Sequence, residues 1–225
     1  MSMPTTLQKL LVEWLMHVLL LAVYYLVAKL PKCQAYMLMA LLILHEPWVG
    51  VAEREQLLPL PTIAAGDVLI GVASNGPHTN GYSYLRKLFA WIPMESQPVP
   101  LDRPLVEALL EPHRNYLPVL KDALNTEHVK ALVHITGGGL PENMPRVLPE
   151  GIGANINLGS WPMPPLFQLV SELSTLDTDE LYRTLNMGVG MVVIVAPEHV
   201  TAVQHSINEE TWIIGELTSD HNKVQ

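Results

Sequence analysis

From Trp48 onward the sequence predicts a layered α/β domain, a mixed sheet flanked by helices. Two observations carry this. Short β-branched runs alternate with segments of helical apolar spacing, and the junctions hold glycine, asparagine and proline, the residues of strand-to-helix turns. No internal repeat or low-complexity linker interrupts the alternation. At 225 residues the chain is long enough for one sizeable domain, or one domain plus part of a second.

The elements follow in order. Trp48 to Ala52 and Val68 to Val72 are short, valine-rich runs bounded by turn residues, and both are expected as buried strands. Tyr82 to Trp91, Arg103 to Leu110 and Tyr116 to Leu124 place apolar residues three and four apart, the period of a helix with one buried face. A strand is expected at Val129 to Ile135 and another at Ile152 to Ile156. Trp161 to Pro165 is a rigid connector, because proline fixes φ and delays any helix until past Pro165. Helices then follow at Leu166 to Leu173 and Thr178 to Leu185. Asp177 or Thr178 serves as N-cap of the second, with acidic residues in its first turn. Val189 to Val195 is a valine-rich run and reads as a strand. Pro197 suits the first turn of a helix reaching Ile207, and Trp212 to Leu217 is the last expected strand.

Composition removes several functions. A net charge of −9 and a pI near 5.4 leave no cluster of Lys and Arg to neutralise phosphates, so nucleic acid is excluded as a partner. Cys33 is the lone cysteine, which excludes an internal disulfide and points to a reducing, cytoplasmic setting. The nine histidines show neither HExxH nor paired-ligand spacing, so no metal site is expected.

Three glycine-bearing segments are candidates for chemistry. In Ser74 to Gly81, SNGPHTNG, glycines let backbone approach a ligand, and the N–H groups at the following helix start suit an anion such as phosphate. His78 adds an ionisable group there and Asn80 a two-way hydrogen bonder; the alternative is a bland strand-to-helix turn. His134 to Gly139, HITGGG, repeats the strand, glycine turn and helix. Its glycines serve phosphate or close helix packing equally well, and it lacks the lysine of a P-loop. His134 itself reads as a satisfied strand residue. Asn186 to Met191, NMGVGM, reads as structural, a bend and flexible packing ahead of a strand. The acidic residues Asp177, Asp179, Glu180, Glu209 and Glu210 read as caps or solvated helix faces, not as a catalytic carboxylate pair.

The block from Ala131 to Met191, with GDVLIGVASNGPHTNGYSYLRKLF at Gly66 to Phe89, closely resembles aminoimidazole ribonucleotide synthetase, also called phosphoribosylformylglycinamidine cyclo-ligase. The resemblance runs from Trp48 to the end, about three quarters of the chain. It implies the C-terminal domain of a two-domain cytoplasmic enzyme of purine synthesis. There ATP activates the formamide oxygen of formylglycinamidine ribonucleotide, and the amidine nitrogen closes the imidazole ring. It also implies that His78 is an active-site residue in contact with substrate or an intermediate, and that Asn80 supports it. Thr136, Gly137, Gly138, Gly139 and Asn143 would line the cleft between domains as substrate-binding residues. The family's ATP and magnesium machinery belongs to an N-terminal domain with no counterpart in this chain, and much of the contact in the family's homodimer belongs there too. Two readings therefore stand together: a cyclo-ligase C-terminal domain, and a fragment inactive by itself. A membrane-tethered binding domain is a third. The same architecture recurs in the amidotransferase of the preceding purine step, selenophosphate synthetase and thiamine-phosphate kinase, but GPHTNGYS, HITGGGLPENMPRVLP and RTLNMGVGM favour the cyclo-ligase.

Residues 1–47 do not fit the family. Leu15 to Leu30 is apolar enough to suggest a membrane span but marginal against the roughly 20 residues a bilayer requires, and the flanks of a signal peptide are missing. The genetic code supplies another explanation. The family has Gly-Gly-Glu-Thr-Ala-Glu-Met-Pro-Gly before the strand resembling WVGVAERE. Ala28 to Met37 can be encoded so that a reading frame starting at the last base of the Ala28 codon gives Glu-Thr-Ala-Glu-Met-Pro-Gly-Ile-Tyr. The same shift turns Trp14 to Val18 into Ala-Asp-Ala-Cys. Roughly Trp14 to Pro47 is thus expected to be a frameshifted translation, its apolarity accidental, with the family-like domain at 48–225.

Overall fold

A computed structural model of the chain describes Leu58 and residues 62–219. The strand expected at Trp48 to Ala52, the boundary at 47/48 and the apolar N-terminal stretch lie outside the described residues. Among the described residues no helix is long and apolar enough to cross a membrane.

The described strands are β1 (Val68–Ala73), β2 (Val129–His134), β3 (Gly153–Ile156), β4 (Val189–Val195) and β5 (Thr211–Thr218). They form one sheet in the order β2-β4-β1-β5-β3. The layered α/β architecture is as expected, but every pairing is antiparallel, so the sheet is not mixed. Sequence alternation could not settle direction, because strands buried on both faces give the same continuous apolar run in either sense.

Helices cover both faces. α1 (Tyr82–Leu88), α2 (Leu105–Leu109), α4 (Gly139–Asn143), α5 (Pro165–Leu173) and α6 (Thr178–Thr184) contribute to the core that holds Leu69, Val133, Val192 and Ile194. α3 (Tyr116–Leu124) and α7 (Val200–Ser206) contribute to the opposite core, with Ile70, Val72, Met191, Val193 and Val195. Successive residues of one strand thus feed opposite cores, as the period of two requires, and all seven residues of β4 are buried. The expected N-cap is present, since the Asp177 carboxylate accepts from the Glu180 N–H at 2.8 Å. The stretch expected as one helix from Pro197 opens with a 3-10 turn, Pro197–His199, before α7.

Candidate functional site

Antiparallel pairing gathers three segments distant in sequence at one end of the sheet. β1 ends where β4 begins, with Ala73 opposite Val189, and β2 ends with His134 opposite Met191. The turn after β1, the glycine turn after β2 and the segment entering β4 therefore meet. The Ser74 N–H donates to the Gly188 carbonyl at 2.8 Å, and the Ile135 N–H to the Gly190 carbonyl at 3.0 Å. Asn186 locks the first turn to the third segment: its Oδ1 accepts from Ser74 Oγ at 2.9 Å and from the Gly188 N–H at 3.0 Å, and its Nδ2 donates to the Gly76 carbonyl at 2.8 Å. The structural role expected for this segment is met by a side chain as much as by its glycines.

The structure places the expected site residues as follows. Asn80 is half-buried beside the glycine turn, with its Oδ1 3.4 Å from where a Cβ on Gly137 would stand. Gly138 and Gly139 both have positive φ, 98° and 57°, and a side chain on Gly139 would strike the Tyr182 carbonyl, so close packing on α6 accounts for that glycine. Asn143 is buried. Its Oδ1 accepts from Thr136 Oγ1 at 2.9 Å and its Nδ2 donates to the Gly139 carbonyl at 2.7 Å, so its amide braces the glycine turn. α1 and α4, which follow the two turns, have seven and five residues and no side-chain caps, so each offers little of the aligned dipole that an anion would use.

His78 is only 3 % exposed and holds a left-handed backbone, φ 57°, which is uncommon outside glycine and marks a position fixed by its surroundings. It belongs to a cluster that sequence spacing did not reveal. Its ring stacks on His113 with centroids 4.0 Å apart and planes 14° apart, and His113 Nε2 lies 3.2 Å from His134 Nε2. One ring nitrogen from each of the three lies within 4.8 Å of the others. Sequence spacing showed no sign of this grouping, because the nitrogens converge through tertiary structure, whereas the motifs sought had local spacing. His134, expected to be a satisfied strand residue, has His113 as its partner. Tyr116 completes the wall. Its hydroxyl donates to the Ala73 carbonyl at 2.8 Å, and its ring meets the edge of His78. Gly190 makes this possible, because a Cβ there would run into Tyr116 Oη and His78 Cε1.

All three imidazoles are held neutral. Burial, then the neighbouring His113, His134 and Arg114, lowers His78 to a pKa of about 3. Burial and His134 lower His113 to about 4, and burial lowers His134 as well. Burial pushes the Tyr116 phenol up. A base as weak as His78 is mismatched to proton abstraction near neutral pH and suits hydrogen bonding or ligation instead.

With that geometry in place, comparison with known proteins gives one answer. The family described as AIR synthase related protein, C-terminal domain, matches residues 64–225. The chain belongs to this family. Phosphoribosylformylglycinamidine cyclo-ligase of Brevibacillus brevis is 42% identical over 182 residues, which is 78% of this chain and 53% of the relative. That of Geobacillus kaustophilus is 44% identical over 175 residues, 75% of this chain and 51% of the relative. The chain thus spans about half the length of the curated cyclo-ligases it matches. Among solved structures, a thiamine-monophosphate kinase from Stenotrophomonas maltophilia K279a superposes with a TM-score of 0.52 at 16% identity, covering 77% of this chain and 54% of that one. E. coli HypE gives 0.51 at 19% identity, with 74% and 48% covered. These two likenesses concern the fold. The layered architecture expected from the resemblance is the one this AIR synthase related domain has.

Proposed function

We propose that this AIR synthase related domain is the C-terminal half of a cytoplasmic phosphoribosylformylglycinamidine cyclo-ligase, and that its substrate face is the end of the sheet where the turns after β1 and β2 meet. The observation that carries the reading is the 42–44% identity to cyclo-ligases, combined with the gathering of Asn80 and Thr136 to Gly139 at one place. In this reading Asn80 and the backbone of Thr136 to Gly139 form the rim that contacts the ribonucleotide, with His78 at the floor. Asn143 acts from behind by holding the glycine turn. His78, uncharged and pinned by Asn75 at 3.0 Å, is an active-site residue beneath that rim and takes no proton from the substrate. ATP and magnesium are proposed to be held by the part of the cyclo-ligase that this chain does not match; the imidazoles of this site do not suit magnesium, which takes oxygen ligands. Homodimerisation through that same part is proposed on the same grounds.

The test is titration calorimetry of formylglycinamidine ribonucleotide into the full chain. Binding that is lost in Asn80→Ala and kept in a distant variant such as Asp177→Ala supports the reading. An undetectable heat with a folded chain overturns it. Ring closure with ATP is expected only together with the half of a cyclo-ligase that this chain does not match. For residues 14–47 the proposal remains the out-of-frame translation, and sequencing the coding DNA decides it. Recovery of Glu-Thr-Ala-Glu-Met-Pro in the shifted frame supports it, and its absence refutes it.

A further inference from the structure

We propose that His78, His113 and His134 form a binding site for one borderline divalent cation of the zinc, cobalt and nickel type. The first support is distance. Ring nitrogens of all three lie within 4.8 Å of one another, and the 3.2 Å between His113 Nε2 and His134 Nε2 is close to the edge of about 3.3 Å that separates two nitrogens on a tetrahedral zinc at about 2.0–2.1 Å.

The second support is the tautomer of His78. Asn75 Nδ2 donates to the Pro112 carbonyl at 2.8 Å, an oxygen that can only accept, so the orientation of the amide is fixed. Asn75 Oδ1 therefore faces His78 Nε2 at 3.0 Å and must receive its hydrogen. The proton of the neutral ring sits on Nε2, which leaves Nδ1 as a bare lone pair. That Nδ1 is buried and has no hydrogen-bond partner, a costly arrangement that a cation would relieve. A ligating histidine whose other N–H is held by an oxygen acceptor is the usual supporting pattern of a metal site, and Asn75 supplies it.

The third support is access. His113 lies in the loop between α2 and α3, and both His113 and His134 are partly exposed, so a cation can enter from their side. The His78 and His113 rings are stacked, and lone pairs lying in nearly parallel planes converge only after one ring turns. His113 can turn, because the outer torsion of histidine has a broad well. Three imidazoles and no carboxylate select zinc, cobalt, nickel or copper over magnesium or calcium, and a fourth position is left for water. This inference concerns the three imidazoles alone and does not rest on the cyclo-ligase reading.

The experiment titrates cobalt(II) into the full chain, pretreated with chelator, and then displaces it with zinc. One equivalent of cobalt with the strong visible bands of a tetrahedral site is expected. His113→Gln and His134→Gln should each weaken binding about 100-fold or more. Cys33→Ser and the double variant His128→Gln, His199→Gln should leave it unchanged. Absence of tetrahedral bands, or equal affinity in the His113 and His134 variants, overturns the proposal. If those variants fail to fold by circular dichroism, histidine acylation of the unmodified chain, read by mass spectrometry, decides instead. Zinc must protect His113 and His134 while His128, His199 and His205 stay reactive, and uniform reactivity with and without zinc refutes the site. Failure of ribonucleotide binding would leave these readouts untouched.

Discussion

Gly190→Ala is the most incisive single change the structure offers. Gly190 sits in β4, buried on both faces, and its φ is not in the left-handed region, so alanine meets no backbone strain there. The added methyl instead collides with Tyr116 Oη and His78 Cε1. Neither can yield cheaply. Tyr116 is 6 % exposed and its hydroxyl is tied to the Ala73 carbonyl of the neighbouring strand, while His78 is pinned by Asn75 and stacked on His113. Overpacking of a tight core costs roughly 1–3 kcal/mol, and loss of the buried Tyr116 hydrogen bond adds about 1–3 kcal/mol. A destabilisation of about 3 kcal/mol is therefore expected from urea unfolding of the chain. The mechanism is checked by Tyr116→Phe, which removes the oxygen the methyl strikes. The double variant should be less destabilised than the sum of the singles, with a coupling of about 1 kcal/mol or more. A Gly190→Ala protein within about 0.5 kcal/mol of the parent, or strict additivity with Tyr116→Phe, would refute the argument that Gly190 exists to admit these two rings.

Three further outcomes follow from the same contacts. In chelator-treated protein, stability should be full above pH 6.5, the ordinary histidine value, and should fall as the pH drops toward about 4 and about 3, the values to which His113 and His78 are lowered; the unfolded chain binds protons there that the folded one refuses. His78 alone contributes a slope of up to about 1.4 kcal/mol per pH unit; the groups facing it are His113, His134 and Arg114, and His78→Gln should flatten the urea-midpoint profile between pH 6.5 and pH 4. Asn186→Ala removes the amide that joins the β1 turn to the β4 entry, leaving the buried Gly188 N–H and the Ser74 hydroxyl without that acceptor, and should cost about 2–4 kcal/mol by thermal unfolding. Lys130→Met takes the ammonium from the buried Asp67 carboxylate while the Ala64 N–H stays, and is expected to cost about 3–5 kcal/mol; Lys130→Met with Asp67→Leu should recover much of it.

What the sequence disclosed and what it concealed divide along a physical line. Features written in neighbouring residues were legible: the runs that became β1, β2, β4 and β5, the Asp177 cap, and the two glycine turns that end beside one another. Strand direction was not, because β1 and β4 are buried on both faces and their apolar runs carry no sign of the partner's sense. Nor was the place of His113 beside His78 and His134. It stands in a loop with no periodicity, and no spacing rule connects it to His78 or His134. Only the order β2-β4-β1 sets the ends of two strands on either side of Gly190 and lets the loop before α3 drop a third imidazole between them.

That concealment has a consequence for reading the site. The residues recognisable as motif, SNGPHTNG and HITGGG, would fold into much the same turns whatever occupied position 113, since their bracing comes from Asn186 and Asn143. His113 takes no part in the bracing by Asn186 and Asn143: among the described residues its ring stacks on His78 and its Nε2 meets His134 Nε2. Substituting it should therefore leave the turns and the ribonucleotide face in place while abolishing whatever the three imidazoles do together. If His113→Gln binds cobalt as tightly as the parent, the cluster is packing and nothing more; if it loses cobalt while formylglycinamidine ribonucleotide still binds, the domain carries two separable recognition functions within one end of one sheet.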